Sequence, residues 1–136
     1  MIVLKFLSRT CFCFALCFLL SACQPEIVIS LASSSESIDA PRFMLRNSKD
    51  ASKAPSYSTL RLYDVDDKVL WHIRAEPMSN DFGVEEITYG VVPEHFVTVI
   101  AAQALEANQE YALMAQGRGL GTLRFNVDAD GILKKK

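Results

Sequence analysis

From Thr59 onward, apolar positions recur at every second residue. Leu60 and Leu62 alternate with Arg61 and Tyr63, and Val69, Trp71 and Ile73 alternate with Leu70, His72 and Arg74. Val97 and Val99 alternate with Thr98 and Ile100, and Tyr111, Leu113 and Ala115 with Ala112 and Met114. Leu123, Phe125 and Val127 alternate with Thr122, Arg124 and Asn126. A period of two sends successive side chains to opposite faces, so each run predicts a strand with a core face and a wetter face. Turn chemistry separates the runs at Asp64–Asp67, Glu76–Gly83, Gly90–Pro93, Asn108 and Gly117–Gly121. Ala101–Met114 has a helical composition, but its apolar residues keep no 3.6-residue stripe and Asn108 interrupts it. About seven short strands without alternating helices predict an all-β, antiparallel β-sandwich.

The first 22 residues follow a different rule. Lys5 and Arg9 precede an uncharged run, Thr10–Leu20, rich in Phe, Leu and Cys. As a helix this run is about 16 Å long at 1.5 Å per residue, against a bilayer core of roughly 30 Å. It predicts the apolar region of a signal peptide over 1–22 rather than a membrane span. The segment also distorts the composition, which is 50% hydrophobic with four cysteines and a net charge of -2. It holds Cys11, Cys13 and Cys17, two of the 14 basic residues and none of the 16 acidic ones. Without it the chain has a single cysteine and a charge of 12 − 16 = −4. One cysteine allows no internal disulfide, and an acidic balance argues against nucleic acid as a partner.

Leu20-Ser21-Ala22-Cys23 resembles the lipobox of bacterial lipoproteins. The resemblance implies that Cys23 takes a diacylglycerol on its sulfur and that signal peptidase II, recognising Leu20, Ser21 and Ala22, cuts before it. The membrane is then a partner through that lipid. Gln24, where Asp would resemble a retention signal, points to the outer membrane, facing the periplasm. The Ser-rich stretch to Pro41 reads as a flexible tether over 23–41, ahead of a domain over 42–133. Within it, Ile27-Val28-Ile29 reads equally as a first strand or a membrane-proximal segment. Lys134–Lys136 reads as a solvated basic tail.

A second resemblance concerns the domain. Leu105 and Tyr111 stand six apart immediately before an alternating run, which resembles the tyrosine corner of fibronectin type III and other immunoglobulin-like domains. The resemblance covers about Ser58–Asp128, lacks the usual Pro between Leu105 and Tyr111, and lacks an intersheet cysteine pair. It implies an immunoglobulin-like sandwich with Trp71, Leu105, Tyr111 and Phe125 in the core. It also implies that the Tyr111 hydroxyl bonds back to the main chain.

Motifs for chemistry fall short. Gly117-Arg118-Gly119-Leu120-Gly121 precedes a strand, whereas a phosphate loop opens a helix, so it predicts a hairpin. Asp128-Ala129-Asp130-Gly131 has too few residues after it to complete a calcium loop. Asp64, Asp66 and Asp67 read as a solvated turn. His72, on the outer face of its strand, and His95, in a loop, are too few for a zinc site. Glu85 and Glu86 are adjacent, so in a strand they point to opposite faces rather than across a cleft. The expectation is a non-enzymatic envelope lipoprotein without cofactor or metal. It would bind an envelope protein through exposed loops near Phe82, His95 and Arg118. An inhibitor or immunity-type lipoprotein that blocks a periplasmic enzyme is the alternative.

Overall fold

A computed structural model describes residues 26–77 and 83–136. The described residues form nine strands and no helix: β1 (Ile27–Leu31), β2 (Arg42–Asn47), β3 (Thr59–Asp64), β4 (Val69–Ala75), β5 (Glu86–Thr88), β6 (Phe96–Ile100), β7 (Glu110–Gln116), β8 (Leu120–Val127) and β9 (Leu133–Lys135). They make two antiparallel sheets, ordered β1-β2-β5 and β6-β4-β3-β7-β8-β9. The described residues form an all-β sandwich.

The alternating runs explain the core. Leu60, Leu62, Trp71, Ile73, Leu113, Leu123 and Phe125 turn inward from the larger sheet, and Ile27, Ile29, Phe43, Leu45 and Ile87 from the smaller. Phe43 meets Phe125 between the sheets with ring centroids 5.6 Å apart, and Phe125 also packs on Tyr111 at 5.7 Å. The four residues expected in the core, Trp71, Leu105, Tyr111 and Phe125, are all buried. The Tyr111 hydroxyl accepts a hydrogen bond from the Glu106 N–H at 2.8 Å, so the segment before β7 is pinned to it. Trp71 lies edge-on to Tyr89, whose hydroxyl donates to the Gln103 carbonyl. A register shift at Leu62/Tyr63 moves Leu70, expected on the wetter face, into the core beside Trp71.

Three boundaries differ from expectation. The first is the stretch 23–41, of which the structure describes residues from Glu26 onward: these are folded, and Ile27-Val28-Ile29 takes the strand reading, one of the two left open. β1 pairs with β2, and Glu26 already bridges Leu120 at the start of β8. Among the serines after β1, Ser33 is held by buried Glu36, which accepts hydrogen bonds from Ser33 Oγ, the Arg42 main-chain N–H and Arg42 Nη2. A buried charge with three donors is satisfied, and it fixes a segment whose composition suggests freedom. Second, residues 42–47 precede the first alternating run at Thr59 yet form β2, where Phe43 and Leu45 alternate with Arg42 and Arg46. Third, the expected basic tail is largely strand β9: Lys134 and Lys135 pair with Asn126 and Phe125, and Leu133 is buried. The turn before β9 follows expectation, with Gly131 at φ 78° and Asp128 Oδ1 accepting from the N–H groups of Asp130 and Ile132.

Candidate functional site

The outer face of the larger sheet is built from the polar members of the same alternating runs. The register places Arg61 opposite His72, and Arg74 two residues further along β4 opposite Thr59 and Val97. These side chains border an open depression of about 620 Å³ that Val97, Thr98 and Val99 of β6 complete. Further across the sheet, Met114 and Thr122 continue the Arg61 row, and Arg124 lies opposite Ala112. Glu110 is the carboxylate on this face, at the far end, where Lys136 pairs with it.

The electrostatics are one-sided. Arg61 and Arg74 have no acidic partner within ion-pair distance among the described residues. This contrasts with Arg42 on the other sheet, which contacts both Glu36 and Glu86. His72 Nε2 is shielded from solvent and has no hydrogen-bond partner. Partial burial, reinforced by Arg61 and then Arg74, holds the imidazole pKa below its ordinary value, so the ring is neutral at pH 7. Two permanent cations beside an unpaired imidazole nitrogen make a receptor for an anion with several oxygens. Guanidinium groups supply forked donors that match phosphate or carboxylate.

The arrangement suits binding better than bond-making. Guanidinium does not take up a proton, and among the described residues no carboxylate orients His72 as a base would require. Among the described residues, no three His, Cys, Asp or Glu side chains converge to hold a metal ion. Asp64, like Asp128, directs its carboxylate to turn amides, those of Asp66 and Lys68. Glu85 and Glu86 are both exposed.

The residues expected as partner contacts fall elsewhere. His95 is exposed in the turn before β6 with φ 65°, beside Glu94 at 3.7 Å, and its carbonyl accepts from the Glu76 N–H. Arg118 is exposed at the tip of the β7–β8 hairpin. Both lie at the end of the sandwich where Glu26 enters, on separate elements. Phe82 and the lipobox residues Leu20, Ser21, Ala22 and Cys23 lie outside the described residues. The Arg61–His72–Arg74 cluster is what the loop-centred expectation missed. The sequence places all three on outer faces, but only the β3–β4 register brings them together.

No protein-family model, curated protein or solved structure matches this chain.

Proposed function

We propose that the chain is a non-enzymatic binding module of a bacterial envelope, anchored by lipid on Cys23, whose recognition surface is the outer face of the six-stranded sheet. The observation that carries the reading is the cluster of Arg61 and Arg74, unpaired with carboxylates, around the unpartnered Nε2 of His72. The lipobox sequence supports the anchor and the periplasmic side of the outer membrane. An immunoglobulin-like relationship is supported by the order β1-β2-β5 set against β4-β3-β7-β8 and by the Tyr111–Glu106 bond. Such scaffolds serve many activities, so the function rests on the face and not on the architecture.

Two measurements test the proposal. Lipid labelling is expected to require Cys23, and normal labelling of Cys23→Ser would overturn the anchor. A photo-reactive side chain replacing Thr122, on the same face, is expected to yield an adduct in cells that R61E/R74E lowers at least fivefold. Equal yields from both chains would refute the outer face as the recognition surface.

A further inference from the structure

We infer that the Arg61–His72–Arg74 cluster takes the phosphates of anionic phospholipid headgroups in the membrane that carries the anchor. The inference rests on the proposed lipidation of Cys23 and names the ligand of the proposed face. It comes from chain length and register together.

Three residue steps separate Cys23 from Glu26, a reach of about 11 Å at 3.8 Å per step. Glu26 bridges Leu120, Leu120 lies opposite Gln116, Gln116 opposite Thr59, and Thr59 opposite Arg74. Glu26 and Arg74 therefore belong to one row across the sheet. Arg74 stands at the level where the anchored chain enters, three strand spacings from Leu120, or about 14 Å to the side. Arg61 and His72 lie one row further out, about 7 Å at 3.3–3.4 Å per residue. A lipid on the Cys23 sulfur fixes that residue at the boundary of the headgroups. The tether then lets Arg74 come within roughly a headgroup layer and a Debye length of about 8 Å of the surface, with Arg61 and His72 one row behind it.

Charge favours the same contact. On the face itself Thr59, Arg61, His72, Arg74, Met114 and Thr122 carry no carboxylate; Glu26, Glu76 and Glu94 lie in the segments at the near end, and Asp64, Asp66, Asp67, Asp128 and Asp130 gather in the turns at the opposite end. An anionic bilayer attracts the near part of this face and repels the distal turns. The neutral His72 adds no charge of its own, and its Nε2 is shielded from solvent, so the two guanidinium groups carry the contact.

The test uses the lipidated protein in vesicles of phosphatidylcholine alone, or with about one-third phosphatidylglycerol, and reads the rate of arginine modification by phenylglyoxal at each site. A contribution of about 1 kcal/mol per cation corresponds to about fivefold. Modification of Arg61 and Arg74 is therefore expected to slow about fivefold or more with phosphatidylglycerol, and to recover in high salt. Arg42, half exposed at the end of β2 away from Glu26, serves as the reference and is expected to keep its rate. Equal rates at Arg61 and Arg74 in both vesicles would overturn the inference. Protection by inorganic phosphate in phosphatidylcholine vesicles, matching that by phosphatidylglycerol, would also overturn it and assign a soluble phosphate instead. The Cys23 peptide from the same digest reports the anchor separately. A lipidated peptide with unprotected arginines refutes this inference alone, and an unlipidated one refutes the reading beneath it.

Discussion

Replacing Glu36 by Gln tests whether the serine-rich segment before β2 is part of the fold. The carboxylate is 4% exposed, with Oε2 accepting from the Arg42 N–H at 2.8 Å and Oε1 from Ser33 Oγ at 2.8 Å and Arg42 Nη2 at 2.9 Å. Glutamine keeps the shape but has one acceptor oxygen, so its amide nitrogen faces a donor in either orientation. The stranded donor costs about 1–3 kcal/mol. The Arg42 side chain is half exposed and can turn to water, so its ion pair adds little. The expected loss is about 2 kcal/mol, a fall in Tm of about 8 °C for a domain of this size. Acidity gives a second reading. Burial pushes the Glu36 carboxyl up, but the hydrogen bonds from Ser33 and from the Arg42 main and side chains outweigh it, and the folded pKa lies below the ordinary value. A depressed carboxyl pKa stabilises the fold above the unfolded value of about 4.3 and loses that contribution as pH falls through the folded one. Thermal unfolding of the two chains should therefore differ most at pH 7, and the gap should narrow below about pH 4. Equal stability at pH 7 would refute the argument and return residues 33–41 to a tether.

Two further substitutions probe how the chain is closed. A Cβ on Gly121 would lie 2.2 Å from the Ile27 carbonyl oxygen and 2.9 Å from its Cβ, so Gly121→Ala should cost about 3 kcal/mol by pushing β1 from β8. A denaturant midpoint within error of the parent would show that β1 does not seat there. Tyr111→Phe keeps the ring in the core and removes the acceptor for the Glu106 N–H, with an expected loss of about 1 kcal/mol. Hydrogen exchange at Glu106 should quicken with it, and an unchanged rate would show that the corner is held by packing alone.

Strands β3, β4, β7 and β8 were legible because their faces differ, whereas β6 buries Phe96 and leaves Val99, expected on the core face, 47% exposed. Leu123, Phe125 and Val127 against Thr122, Arg124 and Asn126 leave little choice of which side is wet. β2 carries a shorter Phe43–Leu45 alternation inside the expected domain, but polar neighbours on both sides kept it from standing out as a strand. β9 offers one apolar residue, Leu133, so its pairing with β8 leaves almost no local trace. Glu36 is the deeper case. Composition marks a glutamate among serines as solvated, and only a fold that returns Arg42 to it reveals a buried anchor point. The candidate site divides the same way. Alternation predicts that Arg61, His72 and Arg74 each face outward. Their meeting depends on β3–β4 register, a long-range property that no single strand encodes.

The bridge between Glu26 and Leu120 joins positions separated by 120 − 26 = 94 residues. During synthesis the leading strand can gain β2 soon after it emerges, but the partner that seats its other side arrives only with the last fifth of the chain. Loop closure over such a span is slow relative to hairpin formation. A nascent chain cut short before β8 would thus hold Ile27 and Ile29 against one neighbour only, with their inner sides still exposed. The strand that opens the described fold is made before its partners and is among the last to be closed, so its N-terminal seam is a late step of folding.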